Sequence, residues 1–265
     1  MEPASTRPPA HESARVPGVP GSASDVALLG GFRLWVHDAE VDLPAGAQRL
    51  LALLALRGRT SRTRTAGTLW PQTTENRALA NLRTAIWRVN HCAPHVLRAV
   101  GGSVDLDPEI DVDVRRLAHA TDVLASAVAG DEEVLAAWHE LPSTPAELLP
   151  DWEDDWLLAD RERVWQSQLH LLEQFAGCFV SQARYGLALD AALAALRADV
   201  LRESAHRAVI RVHLAEGNTV EARRALEFCR TVLTRDAGVE PSVATTQLVL
   251  PRRDLLRTGV RVVVR

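Results

Sequence analysis

Polar side chains suited to reading the edges of base pairs recur along one short stretch of the sequence. If this stretch is a helix, one face carries Arg77, Asn81, Thr84 and Arg88, and Arg83 and Trp87 flank that face. Arginine pairs with guanine O6 and N7, and asparagine pairs with adenine N6 and N7. The pattern therefore predicts a helix that presents these residues to the major groove of double-stranded DNA.

The opposite side of this predicted helix is apolar. Leu79, Leu82, Ile86 and Val89 follow helical spacing and should bury against two preceding helices. The helix should begin after Thr73 or Thr74 and end near residue 90. An ordinary amphipathic helix with arginines that only keep it soluble is the simpler alternative.

Three further arginines are placed to contact DNA beside that helix. Ser61 is a good N-cap for a preceding helix, so Arg62 and Arg64 would lie in its first turn, where phosphates bind. Arg98 precedes Gly101-Gly102, a two-residue turn between segments 96–100 and 103–106. On that hairpin it would meet the DNA backbone or a narrow minor groove.

Charge is divided unevenly along the 265 residues. Residues 46–100 carry nine arginines and one glutamate, a balance of +8, whereas residues 131–160 carry ten acids and no arginine. This favours a basic, anion-binding module beside an acidic one, although charges that merely cluster on solvated faces are the alternative. All 30 basic residues are arginine, which excludes mechanisms that need a lysine amine.

The expected organisation has four parts: a disordered leader at 1–24, a first module at 25–110, an all-helical domain at 111–250, and a tail of uncertain structure at 251–265. The first module should open with two strands, at 28–36 and 41–43, followed by a helix at 48–57. The expected helices of the second part are 116–129, 132–141, 152–182 with a break near Gly177, 187–198, 204–216 and 220–235. Residues 184–188 align with 218–222 at an offset of 34, which is the tetratricopeptide period.

The segment Asp151–Trp156 combines four acids with two tryptophans. On a helix, Trp152 and Trp156 would share a face and pack into the core. A solvated helix start is the favoured interpretation of the acids. The alternative is a docking face for polymerase or for the basic half of this chain.

Other chemistries find little support. His91-Cys92-x-x-His95 offers three soft ligands where zinc normally takes four, so we expect neither a metal nor another cofactor. No nucleophile elbow or phosphate-binding glycine loop occurs, so we do not expect an enzyme. No apolar run reaches about 18 residues, and three cysteines do not suggest a disulfide framework. We therefore expect a cytoplasmic protein without a membrane partner.

Several strings, in order, resemble the Streptomyces antibiotic regulatory proteins. The first half contributes LLGGF (28–32), QRLLALLAL (48–56), SR (61–62), LWP (69–71) and ANLRTAIWR (80–88). The second half contributes LLPDW (148–152), LRESAHR (201–207), LAEGN (214–218) and GVEPS (238–242). The resemblance covers roughly residues 26–250.

The resemblance implies a mainly α fold. An OmpR-type winged helix-turn-helix with a small antiparallel sheet and a wing hairpin should precede a tetratricopeptide-like bacterial transcriptional activator domain. It further implies a promoter-binding regulator, usually an activator, that binds repeated sites, self-associates there and contacts RNA polymerase. The other hypothesis is a helical protein–protein interaction scaffold whose winged helix binds DNA weakly or not at all.

Overall fold

A small β region is followed by an array of helices. The computed structural model describes residues 24–126, 130–142 and 144–249. The expected leader up to residue 23 and the tail at 251–265 lie outside the described residues, and Ser24 already begins the first strand. The described strands are β1 (Ser24–Ala27), β2 (Arg33–Val36), β3 (Ala39–Glu40), β4 (Thr60–Ser61), β5 (Leu97–Val100), β6 (Ser103–Leu106) and β7 (Asp111–Val112).

Helices make up most of the described chain, as expected. They are α1 (Ala45–Arg57), α2 (Arg62–Leu69), α3 (Glu75–Cys92), α4 (Asp113–Ala125), α5 (Asp131–His139), α6 (Leu158–Ser181), α7 (Tyr185–Ala198), α8 (Glu203–Glu216), α9 (Thr219–Val232) and α10 (Val243–Thr246). None of these helices is long and apolar enough to cross a membrane.

The strands form two sheets. The first has the order β3-β2-β1-β7, in which β1 pairs antiparallel with β2 and parallel with β7. The second has the order β4-β6-β5 and contains the expected hairpin, which turns at Gly101-Gly102 with φ of 57° and 81°. Glycine suits this turn because a side chain would strain both positions.

The expected opening strands are wrong in their bounds. One strand over 28–36 does not form, because Gly30 and Gly31 adopt φ of 76° and 137° and turn the chain between β1 and β2. The next strand is Ala39–Glu40, and residues 41–43 lie outside it. The expected turn at 37–39 is present, since His37 and Asp38 both have positive φ.

The second half pairs its helices at the expected offset. Arg184 and Asn218, 34 positions apart, occupy the N-cap positions of α7 and α9 with similar backbone angles. Ala188 and Ala222 follow one turn later and are fully buried, so each pair of helices packs closely. The expected break near Gly177 is absent, because α6 runs without interruption from residue 158 to 181.

The two halves share one apolar core, which extends from the first sheet to α8. Asp113, at the start of α4, accepts hydrogen bonds from the backbone N–H groups of Leu28 and Leu29, both at 2.8 Å. The N–H of Leu149 donates to the carbonyl of Leu28 at 2.9 Å, and Leu29 and Leu148 form a β-bridge. Backbone hydrogen bonds therefore join the halves.

Residues 151–154 form a non-helical strap, which begins in a turn at Asp151, instead of the expected helix start. Only a short 3₁₀ turn at Asp155–Leu157 precedes α6, so Trp152 and Trp156 do not share a helix face. Trp152 stacks on Phe32 of the first half, with ring centroids 6.1 Å apart. The favoured interpretation of this segment as a solvated helix start is therefore wrong.

Two arginines of α1 hold the strap and the start of α6. We call this arrangement the α1 clamp; it consists of Arg49, Arg57, Trp152, Asp154, Trp156 and Asp160. Arg49 Nε lies 2.9 Å from both carboxylate oxygens of Asp154, and its guanidinium lies over the Trp152 ring. Arg57 pairs with Asp160 at 3.2 Å and lies over Trp156. The acidic segment thus docks on the basic half of its own chain.

Candidate nucleic-acid interface

Helix α3 is anchored by one face and exposed along the other. Its fully buried side chains are Ala78, Leu82, Ala85 and Val89, which pack toward α1 and α2. The expected apolar stripe is shifted slightly, because Leu79 and Ile86 are only half-buried at its margin. Thr74 occupies the N-cap, and Glu75 lies in the positive first turn.

The expected reading face of α3 is open to solvent. Arg77, Arg83, Thr84 and Arg88 are exposed, and Asn81 is half-buried between them. Within the described residues, none of these arginines forms an ion pair with a carboxylate. The Thr84 hydroxyl donates to the carbonyl of Ala80 at 3.2 Å, which leaves its oxygen able to accept.

Trp87 extends this surface toward the C-terminal end of α3. Its side chain is 55% exposed, and its ring stacks on His91 with centroids 5.2 Å apart and planes 9° apart. The Arg88 guanidinium lies 5.0 Å from the same ring. This exposed indole adjoins the predicted base-reading residues.

The start of α2 lies beside the hairpin. The Ser61 hydroxyl caps the helix by accepting from the backbone N–H of Arg64 at 3.3 Å, as the sequence predicts. The backbone N–H of Arg62 donates to the carbonyl of Gly102 at 3.0 Å. Arg64 is exposed, whereas Arg62 is half-buried and its Nε has no hydrogen-bond partner within the described chain.

The hairpin gives Arg98 an acidic partner. Arg98 Nε lies 2.8 Å from a carboxylate oxygen of Asp107, and Asp105 is its cross-strand neighbour. The Arg98 side chain is still 58% exposed.

Sequence reasoning did not select Arg59. This exposed residue lies between α1 and β4, and its guanidinium is 3.5 Å from the carbonyl of Val100 at the hairpin tip. Its charge was visible in the basic window, but its place depends on β4, a strand of two residues that pairs with β6. So short a strand has no detectable sequence period.

The arrangement combines three elements that a duplex can contact together. A polar helix face, the N-terminus of a second helix and a hairpin tip adjoin one another, and they carry arginine and no lysine. This geometry is that of a winged helix-turn-helix, in which one helix enters the major groove and neighbouring elements contact the backbone.

The family model of the bacterial transcriptional activator domain matches residues 109–250, more than half of the chain. Among solved structures, Mycobacterium tuberculosis EmbR, in complex with a low-affinity phosphopeptide, is similar with a TM-score of 0.63 and 19% sequence identity. The similarity covers 90% of this chain and 66% of the EmbR chain. No curated protein sequence matches.

The structural likeness supports the fold, and the family model supports the class of protein. The mainly helical fold with a small N-terminal β region is thereby confirmed. The chain belongs to the bacterial transcriptional activator domain family, a family of transcriptional regulators.

Proposed function

We propose that this regulator binds double-stranded DNA sequence-specifically, with α3 in the major groove. The observation that carries the proposal is the exposed face of α3, on which Arg77, Arg83 and Arg88 lack carboxylate partners within the described residues. Unpaired arginines beside an asparagine and a threonine supply the donors and acceptors that base edges require.

The start of α2 would set the orientation of α3 on the duplex. Arg62 and Arg64 lie in its first turn, where side-chain charge and backbone N–H groups can meet one phosphate together. These contacts are independent of base sequence, so they add affinity without adding preference.

In this proposal, residues 25–110 form the DNA-binding domain and residues 111–250 form the activator domain. The activator domain would contact RNA polymerase when copies of the protein occupy repeated promoter sites. Helical repeats suit this task because stacked helix pairs present long surfaces to protein partners. The proposed role needs neither catalysis nor a cofactor.

The first test is selection of bound fragments from random duplex DNA by the full chain. We expect one enriched motif, followed by loss of motif preference in Arg83→Ala and Arg88→Ala, each with about 1–3 kcal/mol weaker binding. Arg64→Ala should weaken binding to all sequences alike and reduce the slope of log affinity against log salt by about one.

Arg224→Ala is the matched control. Arg224 is an exposed arginine of α9, and its charge is already paired with Glu221 at 2.6 Å. Its removal should leave DNA affinity and preference unchanged. Recovery of no enriched motif, even with polymerase present, would instead support a protein-interaction scaffold.

A further inference from the structure

The acidic surroundings of Arg98 make it a poor choice for a DNA contact. Its guanidinium is already paired with Asp107, and Asp105 lies opposite it on β6. One arginine beside two carboxylates leaves this part of the hairpin with a net negative charge. A phosphate or a minor groove approaching it would be repelled, and the existing ion pair would have to open.

The tip of the same hairpin, in contrast, adjoins a positive charge and exposes an apolar side chain. Val100 is 58% exposed next to the Gly101-Gly102 turn, and the Arg59 guanidinium reaches its carbonyl. Within the described residues Arg59 forms no ion pair with a carboxylate. An unpaired positive charge therefore lies against the backbone of a residue whose apolar side chain is exposed.

The tip is also fixed relative to the helices. The carbonyl of Gly102 accepts from the backbone N–H of Arg62, and β4 joins the start of α2 directly to β6. If the start of α2 contacts a phosphate, the hairpin tip must therefore lie close to the same duplex. Arg59 precedes β4 and moves with both.

We infer that Arg59, and not Arg98, is the arginine that enters the minor groove flanking the α3 site, with Val100 packed against the groove wall beside it. This inference rests on the proposed DNA binding. A narrow, A·T-rich minor groove concentrates negative potential and attracts arginine, and apolar side chains often accompany such contacts. The composition of DNA that α3 does not touch would thereby affect affinity.

The test compares three duplexes that share the selected motif and differ only in the flanking base pairs: A·T, G·C and inosine·C. Inosine lacks the guanine N2 amino group in the minor groove but keeps the major-groove edge of guanine. The wild-type chain should bind A·T and inosine·C flanks alike and G·C flanks about ten-fold more weakly. Arg59→Ala should lose about ten-fold in affinity for the A·T duplex and bind all three equally.

Arg98→Ala is the charge-matched control, and it should change affinity less than about two-fold while keeping the flank preference. Arg59→Lys keeps the charge and should recover part of the affinity. Thermal unfolding of each variant identifies any that fails to fold.

Two outcomes would overturn the inference. In one, Arg59→Ala weakens binding equally on all three flanks, which would place Arg59 on a phosphate. In the other, Arg98→Ala abolishes the flank preference and Arg59→Ala does not. Failure of the wild-type chain to select any DNA would be a separate result that refutes the proposed function and this inference together.

Discussion

The ionisable residues with resolved pKa shifts lie away from α3, and several of them meet where α8 contacts the end of the described chain. His206 is buried, and one of its ring nitrogens donates to the carbonyl of Val200 at 2.8 Å. Burial lowers the pKa of His206, although this hydrogen bond and the charges of Glu203 and Asp199 oppose the shift. The folded protein therefore favours the neutral ring more than the unfolded chain does.

Stability should consequently fall as the pH drops through the ordinary histidine range. The pKa of His206 is lower in the folded than in the unfolded chain, so the unfolded chain binds more protons just below pH 6.5. Urea denaturation at pH 7.5 and pH 5.5 should show lower stability at pH 5.5. His206→Gln, which keeps a donor for Val200, should reduce that difference, and His170→Gln, at an exposed position, should not. An unchanged difference in His206→Gln would contradict the assignment.

The ionisation of Glu203 should affect stability at a lower pH than that of His206 does. Burial by itself would raise its pKa, but hydrogen bonds from Ser242 and Thr245, helped by the charge of Arg207, lower it overall. These bonds attach the segment after α9 to α8, with the Ser242 hydroxyl 2.5 Å from the Glu203 carboxylate. Since a lowered acid pKa stabilises the folded state above the ordinary value of 4.5, that attachment should weaken as the pH falls below it.

Among the elements, α4 joins the two halves through its first residue. The Asp113 carboxylate accepts from three backbone N–H groups, those of Leu28, Leu29 and Val114. Burial raises the pKa of Asp113, and the three hydrogen bonds counteract this. Leu28 is fully buried, so its backbone N–H depends on this carboxylate as its acceptor.

Asp113→Ala should therefore be among the more destabilising single changes. It leaves two N–H groups of the β1–β2 turn without their acceptor, which costs about 2–5 kcal/mol. Asp122→Ala, at an exposed position of the same helix, is the control and should change stability by less than about 0.5 kcal/mol. Chemical denaturation of the wild type and the two variants measures both stability changes. Similar losses of stability in the two variants would contradict the role of Asp113.

The elements that the sequence predicts well are those with local signals. Helix α2 has its cap at Ser61, α3 has its apolar period, and the hairpin has its two glycines. The tryptophans of the segment before α6 have helical spacing, which wrongly predicts a helix there. The segment's conformation depends on Phe32 and Arg49, more than 100 residues away, and no local pattern reports such partners.

The candidate interface was predictable in the same uneven way. The exposed face of α3 follows from its period, so most expected residues lie together on it. The acidic partner of Arg98 is only nine residues away in the sequence, so a pair between them is predictable. The position of Arg59 is not predictable, because it depends on the register of β4 with β6.

For the whole molecule, the α1 clamp makes the two halves one structural unit. The side chains of Asp154 and Asp160 are 15% and 12% exposed and those of Arg49 and Arg57 are 35% and 37% exposed, so water screens these pairs in part. The tryptophan rings add cation–π contacts to both arginines. A shared core and these partly shielded ion pairs together favour cooperative unfolding.

Unfolding of the wild-type chain should accordingly give coincident transitions by circular dichroism and by tryptophan fluorescence. Arg49→Ala and Arg57→Ala should each cost about 1–3 kcal/mol, and the double variant should separate the two transitions. Arg224→Ala removes a surface pair and should cost no more than about 0.5 kcal/mol. If Arg49→Ala and Arg224→Ala cost the same, the clamp does not couple the halves.

An arginine that already pairs with an acid within the molecule must break that pair before it can neutralise DNA. Arg49, Arg57 and Arg98 are paired in this way, which leaves six arginines in residues 46–100 that form no ion pair with the described chain: Arg59, Arg62, Arg64, Arg77, Arg83 and Arg88. At about 0.9 released counterions per phosphate, one copy can displace at most about five from this window, even if all six of these arginines met phosphates. A measured release near ten would mean that two copies share one DNA fragment, so ionic strength alone can report the stoichiometry of the complex.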